Sequence, residues 1–454
     1  MKQLLFMMLT TLAGTAGVFI VSPFWGVAIY YLFAVLRPQF MWKWSLPPDV
    51  QWSLFVAVAT ILGAIAVKGG FMHSGSPDDS TVTPQRQFSW PHWAVIGFGI
   101  WVAFGCLIAV DPGAAYPWLI EYTKILVMFT VSTILIRSVD QIWTLFVLSA
   151  LAIGYIAYEI NFLYVFNGRY TGIYHNGYGG LDNNGAGLML AMGVPLCAAV
   201  WQGTSRIWRW GFAALIPVLL HAVLLTYSRG AMVALLLGSP LIFWRSRHRV
   251  QIGIAGLCLI LLLPSLAGNE IRRRFFSVQQ YQEDDSAQSR FASWAAGWQI
   301  AKENPVFGVG LRNSNLFSQK YGADLEGRTI HSQYLQVAAD NGLVGLGLYL
   351  CMLAAFWRVV RRARRLTAHL ETVEGRQTNA VACGISNAMA VFCIGACFLS
   401  LETFELPYLL LLLGAQLGTI AVPALGRVRT GSPVVAPLTS FPSGINPAFV
   451  GRSR

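Results

Sequence analysis

Two arginines and one histidine stand where a chain this apolar has few reasons to put them. Arg229 lies in Thr226-Tyr227-Ser228-Arg229-Gly230, at the junction of the apolar runs 210–226 and 230–244. A guanidinium there either snorkels to the headgroups as an anchor or binds phosphate, since it is always charged and donates two parallel hydrogen bonds. At headgroup depth the second chemistry suits a lipid-linked phosphate. Arg290 belongs to the stretch from Ser289 to Ala301, in which Phe291, Trp294, Trp298 and Ala301 recur at helical spacing. That period predicts an amphipathic helix at the membrane interface, with Arg290 capping its polar start. Core packing would explain the tryptophans equally well, but not the arginine. His331 opens His331-Ser332-Gln333-Tyr334-Leu335-Gln336, where residues 331, 334, 335 and 338 share one face of an expected helix. A lone histidine is more often structural than catalytic. This one closes the long polar connection, on the side where Arg229 is placed, and histidine is the usual general base near neutral pH.

Weaker signals surround these. In Asn304-Pro305-Val306-Phe307-Gly308-Val309-Gly310 the two glycines predict a tight turn after the helix. As a nucleotide signature it is poor, because no strand precedes it and no third glycine follows. Asp182, Asn183, Tyr227, Arg312, Tyr334 and Glu402 are candidate substrate-binding residues, and Arg169 is a lesser one. Glu402 and Glu405, at the outer end of the last hairpin, either bind a sugar or are simply solvated. Glu121 and Lys124, three apart in an apolar run, predict an ion pair. Ionisable groups in lipid are functional candidates by default, though structural pairing is the simpler reading here. The seven cysteines mostly lie within apolar runs and none has metal-ligand spacing with a histidine. No metal site is expected.

The elements that must hold these residues are membrane helices. Hydrophobic residues make up 55% of the 454, charged residues 11%, and the mean hydropathy is +0.55. A soluble domain has about a quarter of its residues charged. The apolar blocks have the length that crosses a bilayer as a helix. They fall at 3–21, 24–36, 52–67, 93–110, 118–136, 141–165, 184–201, 210–226, 230–244, 250–267, 341–357, 379–400 and 407–423. The fold class expected is an all-α integral membrane protein with about 12–13 transmembrane helices. One large outer loop, 268–340, carries short amphipathic helices. Residues 1–425 form one polytopic domain, 71–90 a flexible loop, and 426–454 a disordered cytoplasmic tail. The Arg-rich segments 202–209, 245–249 and 358–376 are placed in the cytoplasm, which puts 166–183, 227–229, 268–340 and 401–406 outside. Lys2, Arg37 and Lys43 do not all fit that alternation. Either 1–36 is a hairpin of two short helices or an early span is misplaced. The Met-Lys start running straight into apolar residues reads as a retained first span. The net charge of +12 does not point to nucleic acid, because the basic residues cluster beside apolar runs and meet lipid headgroups.

Asp182-Asn183-Asn184, Tyr227-Ser228-Arg229-Gly230, Arg290 with Trp294, Phe307-Gly308-Val309-Gly310, and His331-Ser332 with Tyr334 occur in an order and sidedness that resemble the O-antigen ligase family. The resemblance is close over 180–357 and extends to the layout of the other spans. Within the family the chain is most similar to O-glycosylation ligases associated with the exosortase A system, through its opening hairpin, Asp111-Pro112 and Tyr281-Gln282-Glu283-Asp284. The resemblance implies transfer of a glycan from an undecaprenyl-diphosphate carrier to a hydroxyl acceptor, protein or lipid, on the periplasmic face of the bacterial inner membrane. It implies no metal, cofactor or nucleotide sugar. Arg229 and Arg290 would bind the diphosphate and His331 would act as base. Ser332 stands where the wider family often has Asn, so acceptor preference does not carry over. The rival readings are a polymerase of lipid-linked repeat units, a polysaccharide flippase and a purely structural membrane partner. The single long outer loop and the lack of repeated halves oppose the flippase.

Overall fold

The structure, a computed structural model, describes residues 2–48, 50–70, 88–168, 172–204, 207–245, 285–317, 319–321 and 330–423. Among them the regular structure is helical, apart from one isolated bridge between Tyr178 and Leu181. In chain order the helices are α1 (Lys2–Ile20), α2 (Pro23–Leu36), α3 (Pro38–Met41), α4 (Trp52–Lys68), α5 (Trp90–Leu107), α6 (Pro112–Leu135), α7 (Val139–Asn167) and α8 (Gly172–Asn176). They continue with α9 (Asn183–Gly203), α10 (Arg209–Leu225), α11 (Arg229–Arg245), α12 (Asp285–Glu303), α13 (Gln333–Thr367), α14 (Val373–Gly395) and α15 (Glu405–Gln416). Seven of them are long and apolar enough to cross a membrane, and five shorter apolar helices accompany them. The chain is an all-α integral membrane protein. In lipid a helix satisfies its own backbone groups, which is why apolar blocks of this length take that form. The expected spans overlap these helices, with 341–357 lying inside the longer α13. The span 250–267, Arg169, Tyr281 to Asp284 and the tail 426–454 lie outside the described residues, as does most of 71–90.

The central helix is α9, whose apolar window is 94% buried, whereas that of α1 is 22% buried and faces outward. Small residues allow the close approach. A Cβ at Gly193 of α9 would lie 2.6 Å from Ile153 of α7, and one at Gly384 of α14 would lie 2.4 Å from Phe146. Helix starts are set by side-chain caps: Ser138 accepts from the Gln141 amide at 3.2 Å, and Asp182 from the Gly185 amide at 2.7 Å.

Cross-helix neighbours fix the direction of the chain. Gly14 of α1 meets Ile29 of α2, and Gly63 of α4 meets Pro23, so residues 2–36 form an antiparallel hairpin and α4 runs back along α2. One end of the bundle then gathers the α2–α3 turn at Arg37, the turn 177–182, the α10–α11 junction, the segment 304–317, the approach to α13 and the turn 396–404. Lys2 and Lys43 lie at this same end. Lys68, Arg137, Arg209, Arg245 and the run Arg358–Arg376 lie at the other.

Candidate functional site

α13 breaks at Gly342, directly after the polar pair Asp340-Asn341, where φ is 74° and ψ 174°, a conformation glycine takes without steric cost. The break leaves backbone groups in need of partners, and the segment after α12 supplies them. Leu343 N donates to the Pro305 carbonyl at 2.7 Å, Val309 N to Ala339 at 3.0 Å, and Gly310 N to Asp340 at 2.9 Å. Gly308, with φ 68°, lies so close to the helix that a Cβ there would sit 2.4 Å from the Asp340 carbonyl carbon. The Phe307–Gly310 motif is therefore a backbone splice into a broken helix. Trp101 of α5 locks it, stacking on Phe307 at 4.9 Å and donating to the Asn341 carbonyl at 2.9 Å.

Beside the splice lies Asp340, fully buried. Its Oδ1 accepts from Ser314 N at 2.9 Å, and its Oδ2 from Arg312 N at 2.9 Å and Gln336 Nε2 at 2.7 Å. The Gln336 Oε1 accepts in turn from Ile330 N at 3.1 Å. A chain of hydrogen bonds thus runs from Asp340 to the residue before His331. The sequence reading missed both Asp340 and Gln336. The available signal was an ionisable group inside an apolar run.

His331 is placed differently from the expectation. α13 begins at Gln333, so His331 precedes the helix and does not share a face with residues 334, 335 and 338. Its φ is 55°, a left-handed conformation costing about 1–3 kcal/mol that the surroundings must impose. Gln336 on one side imposes it, and on the other Trp294 Nε1 donates to the His331 carbonyl at 3.2 Å. The other non-glycine residues with positive φ among the described residues are Arg37, Tyr227 and Arg312. All four are at this end of the bundle.

α12 also departs from the expected pattern. It starts at Asp285, so Arg290 lies inside it, beyond its first turn, and not at its start. Its buried face is Ser293, Ala296, Gly297, Ile300 and Ala301, while Phe291 and Trp298 are 49% and 47% exposed. Small residues won over large ones because they admit Ile330: a Cβ at Gly297 would lie 2.8 Å from its Cδ1. Trp294 stands at the edge of that face, and Arg290, one turn earlier, shares its direction.

Arg229 is the first residue of α11. Ser228 caps that helix, its Oγ accepting from Ala231 N at 3.2 Å and donating to Asn184 Oδ1 at 2.9 Å. Asn184 Nδ2 donates to Asp182 Oδ2 at 3.1 Å, and Asn183 Nδ2 to the Thr226 carbonyl at 3.0 Å. Asp182 and Asn183 therefore brace the Arg229 junction. Tyr227 is buried against Tyr174, with ring centroids 5.7 Å apart. The backbone of Gly230 faces Phe398, which a Cβ there would meet at 3.5 Å, and the Phe398 ring lies 6.3 Å from Trp294. Arg229, the Arg290–Trp294 turn and His331 accordingly surround the 396–398 turn. Gln333 N ties to Ala396 at 2.8 Å and Tyr334 Oη donates to the Cys393 carbonyl at 2.9 Å, which engages the hydroxyl in structure. A cation at a helix N-terminus opposes the helix dipole. The pairing is favourable once an anion binds between them.

Arg312 and Glu402 form a second group, joined to the first through Gln333, whose Oε1 accepts from Leu401 N at 2.6 Å. The Arg312 guanidinium lies over Trp118 of α6 at 4.2 Å. Burial pushes the Glu402 carboxyl well above its ordinary range, the Asp340 charge adds to this, and Arg312 opposes it. Glu121 and Lys124 form the expected ion pair at 2.7 Å, on an exposed face of α6.

Residues 218–350 match the model of the O-antigen ligase family. The matched stretch takes in Arg229, Arg290, Arg312, His331, Tyr334 and Asp340, and leaves out Asp182, Asn183 and Glu402. It supports a ligase that transfers glycosyl groups, in a membrane setting, with a lipid-linked glycan as substrate. No curated protein matches the chain.

Proposed function

We propose that this protein moves a glycan from undecaprenyl diphosphate to a hydroxyl acceptor, on a protein or a lipid, at the periplasmic face of the bacterial inner membrane. The observation that carries the proposal is the placing of the Arg229 junction, the Arg290–Trp294 turn and His331 around the turn at Phe398. Those three, though not Phe398, lie within residues 218–350, which match the O-antigen ligase model. The sidedness rests on charge. The end opposite this site carries the basic run Arg358–Arg376 with Arg137, Arg209 and Arg245, and such clusters are retained in the cytoplasm. Arg37 and Lys43 run against that bias because the site end holds them.

The residues divide the work. Arg229 and Arg290 bind the diphosphate as permanent bidentate donors, and they matter most when the leaving group gains charge. His331 removes the proton of the acceptor hydroxyl as its oxygen attacks the anomeric carbon. The bond from that carbon to the phosphate oxygen breaks, and undecaprenyl diphosphate departs with the electron pair. The strained backbone at His331 is fixed from both sides, by Gln336 at Ile330 N and by Trp294 at the His331 carbonyl, which limits the positions its side chain can take. The test is to incubate purified protein with lipid-linked glycan and candidate acceptors. Glycan joined to an acceptor that is not itself lipid-linked is expected. Growth of the lipid-linked chain alone would make the protein a polymerase.

A further inference from the structure

Gln336 is fully buried, a place where an apolar chain puts a glutamine only if its amide is paired. Nε2 donates to Ser314 Oγ at 2.6 Å and to Asp340 Oδ2 at 2.7 Å, and Oε1 accepts from Ile330 N at 3.1 Å. The amide fits only one way round. A backbone N–H can only donate, so Ile330 requires the oxygen. Asp340, already accepting from the Arg312 and Ser314 amides, requires the nitrogen.

The same residue reaches both neighbours of His331. Its side chain holds Ile330 N, and its own backbone N donates to the Ser332 carbonyl at 2.8 Å. The neighbours are anchored in turn. Ile330 is 3% exposed and seated on Gly297 of α12 beside Ile300, Val309 and Ala339. After Ser332, Gln333 N bonds to the Ala396 carbonyl at 2.8 Å. His331 is therefore bracketed at 330 and at 332 while its φ stays at 55°. Glycine would occupy that conformation without strain, so a strained side chain kept there points to a task for the side chain. A base displaced by about 1 Å loses about 100-fold in rate while its basicity is untouched.

We propose that Gln336 is a positioning residue for the base: its side chain, oriented by Asp340 and Ser314, fixes the turn that sets where the His331 imidazole meets the acceptor hydroxyl. The inference rests on the transfer reading above, with His331 as base. It is tested on the full chain in lipid nanodiscs, as wild type, Gln336→Met and Gln336→Glu. Binding is read with bare undecaprenyl diphosphate. Turnover is read as carrier released from lipid-linked oligosaccharides in the presence of the acceptor fraction of host membranes. Gln336→Met fills the space but bonds neither Ile330 nor Asp340. It should bind carrier as wild type does, lose about 10- to 100-fold in kcat, and exchange the Ile330 amide hydrogen faster. The pH at which its kcat/KM rises should match wild type, because the imidazole keeps its basicity. Gln336→Glu is the conservative rescue. Protonated, its carboxyl donates to Asp340 and accepts from Ile330 N as the amide does; ionised, it repels Asp340. The other ionisable groups around Asp340, namely Arg312, Glu402 of the 396–404 turn and Cys106 of α5, are common to both proteins. The kcat ratio of Gln336→Glu to wild type should stand near unity at acidic pH and fall about 10-fold or more as pH rises. Wild-type kcat in Gln336→Met, carrier binding and kcat lost together, or a ratio independent of pH would overturn the positioning role. Carrier released without glycan reaching a separate acceptor would refute the ligase reading alone, because kcat is counted on the carrier.

Discussion

Replacing Gly342 by alanine should break the splice that holds the site together. The new Cβ would lie 2.1 Å from the Val306 carbonyl oxygen and 2.4 Å from its carbonyl carbon, both backbone, at a φ of 74°. The left-handed conformation alone costs a non-glycine residue about 1–2 kcal/mol. Pushing the 305–310 segment away weakens three hydrogen bonds, from Leu343, Val309 and Gly310, at about 0.5–1.5 kcal/mol each. The sum is about 3–6 kcal/mol. Gly347, on the same helix, is the control, since a Cβ there meets nothing within 4 Å. Gly347→Ala should gain about 0.5–1 kcal/mol from helix propensity. Thermal unfolding in detergent, with turnover of lipid-linked donor measured alongside, separates the two. Gly342→Ala should unfold well below wild type and lose transfer, because the displaced segment leads directly into Arg312 and Ser314, which hold Asp340. Indistinguishable midpoints for the two variants would refute the splice as a structural element.

Arg229→Lys keeps the charge but loses the fork, so transfer should fall about 10- to 100-fold at unchanged expression. Wild-type turnover would make Arg229 an anchor. Glu402 holds its proton above the ordinary carboxylate range, so stability is full at low pH and declines as pH rises through the raised range. Glu402→Gln should flatten that decline and raise the unfolding midpoint at alkaline pH; a pH profile that superposes on wild type would remove Glu402 from the titration. In a cysteine-free background, a cysteine at Trp44 should react with an impermeant reagent added from outside, and one at Val373 should not. Both positions are exposed, at 66% and 62%, and the reverse labelling would invert the bundle.

The sequence made the spans visible because lipid demands long apolar helices, and it exposed Arg229 and His331 because polar residues at span junctions stand out. Other features left little local trace. The break at Gly342 depends on a partner segment more than thirty residues upstream, which the local Asp340-Asn341-Gly342 run does not reveal. α12 buries small residues rather than its tryptophans because Ile330, remote in sequence, needs the space of Gly297. Arg37 confounded the orientation of the first helices because it is held at the site end of the bundle, donating to the Gly179 carbonyl at 2.8 Å, away from the basic run Arg358–Arg376. Asp340 went unnoticed because two of its three donors, the Arg312 and Ser314 amides, come from a segment that only the fold brings to it.

The most direct test of the central claim is His331→Ala, with donor binding and transfer measured side by side. Lipid-linked donor should still bind, because Arg229 and Arg290 supply that affinity. Transfer should fall about a hundred- to ten-thousand-fold, the usual consequence of losing a general base. If binding and transfer fall together, or if transfer survives, His331 is not the base.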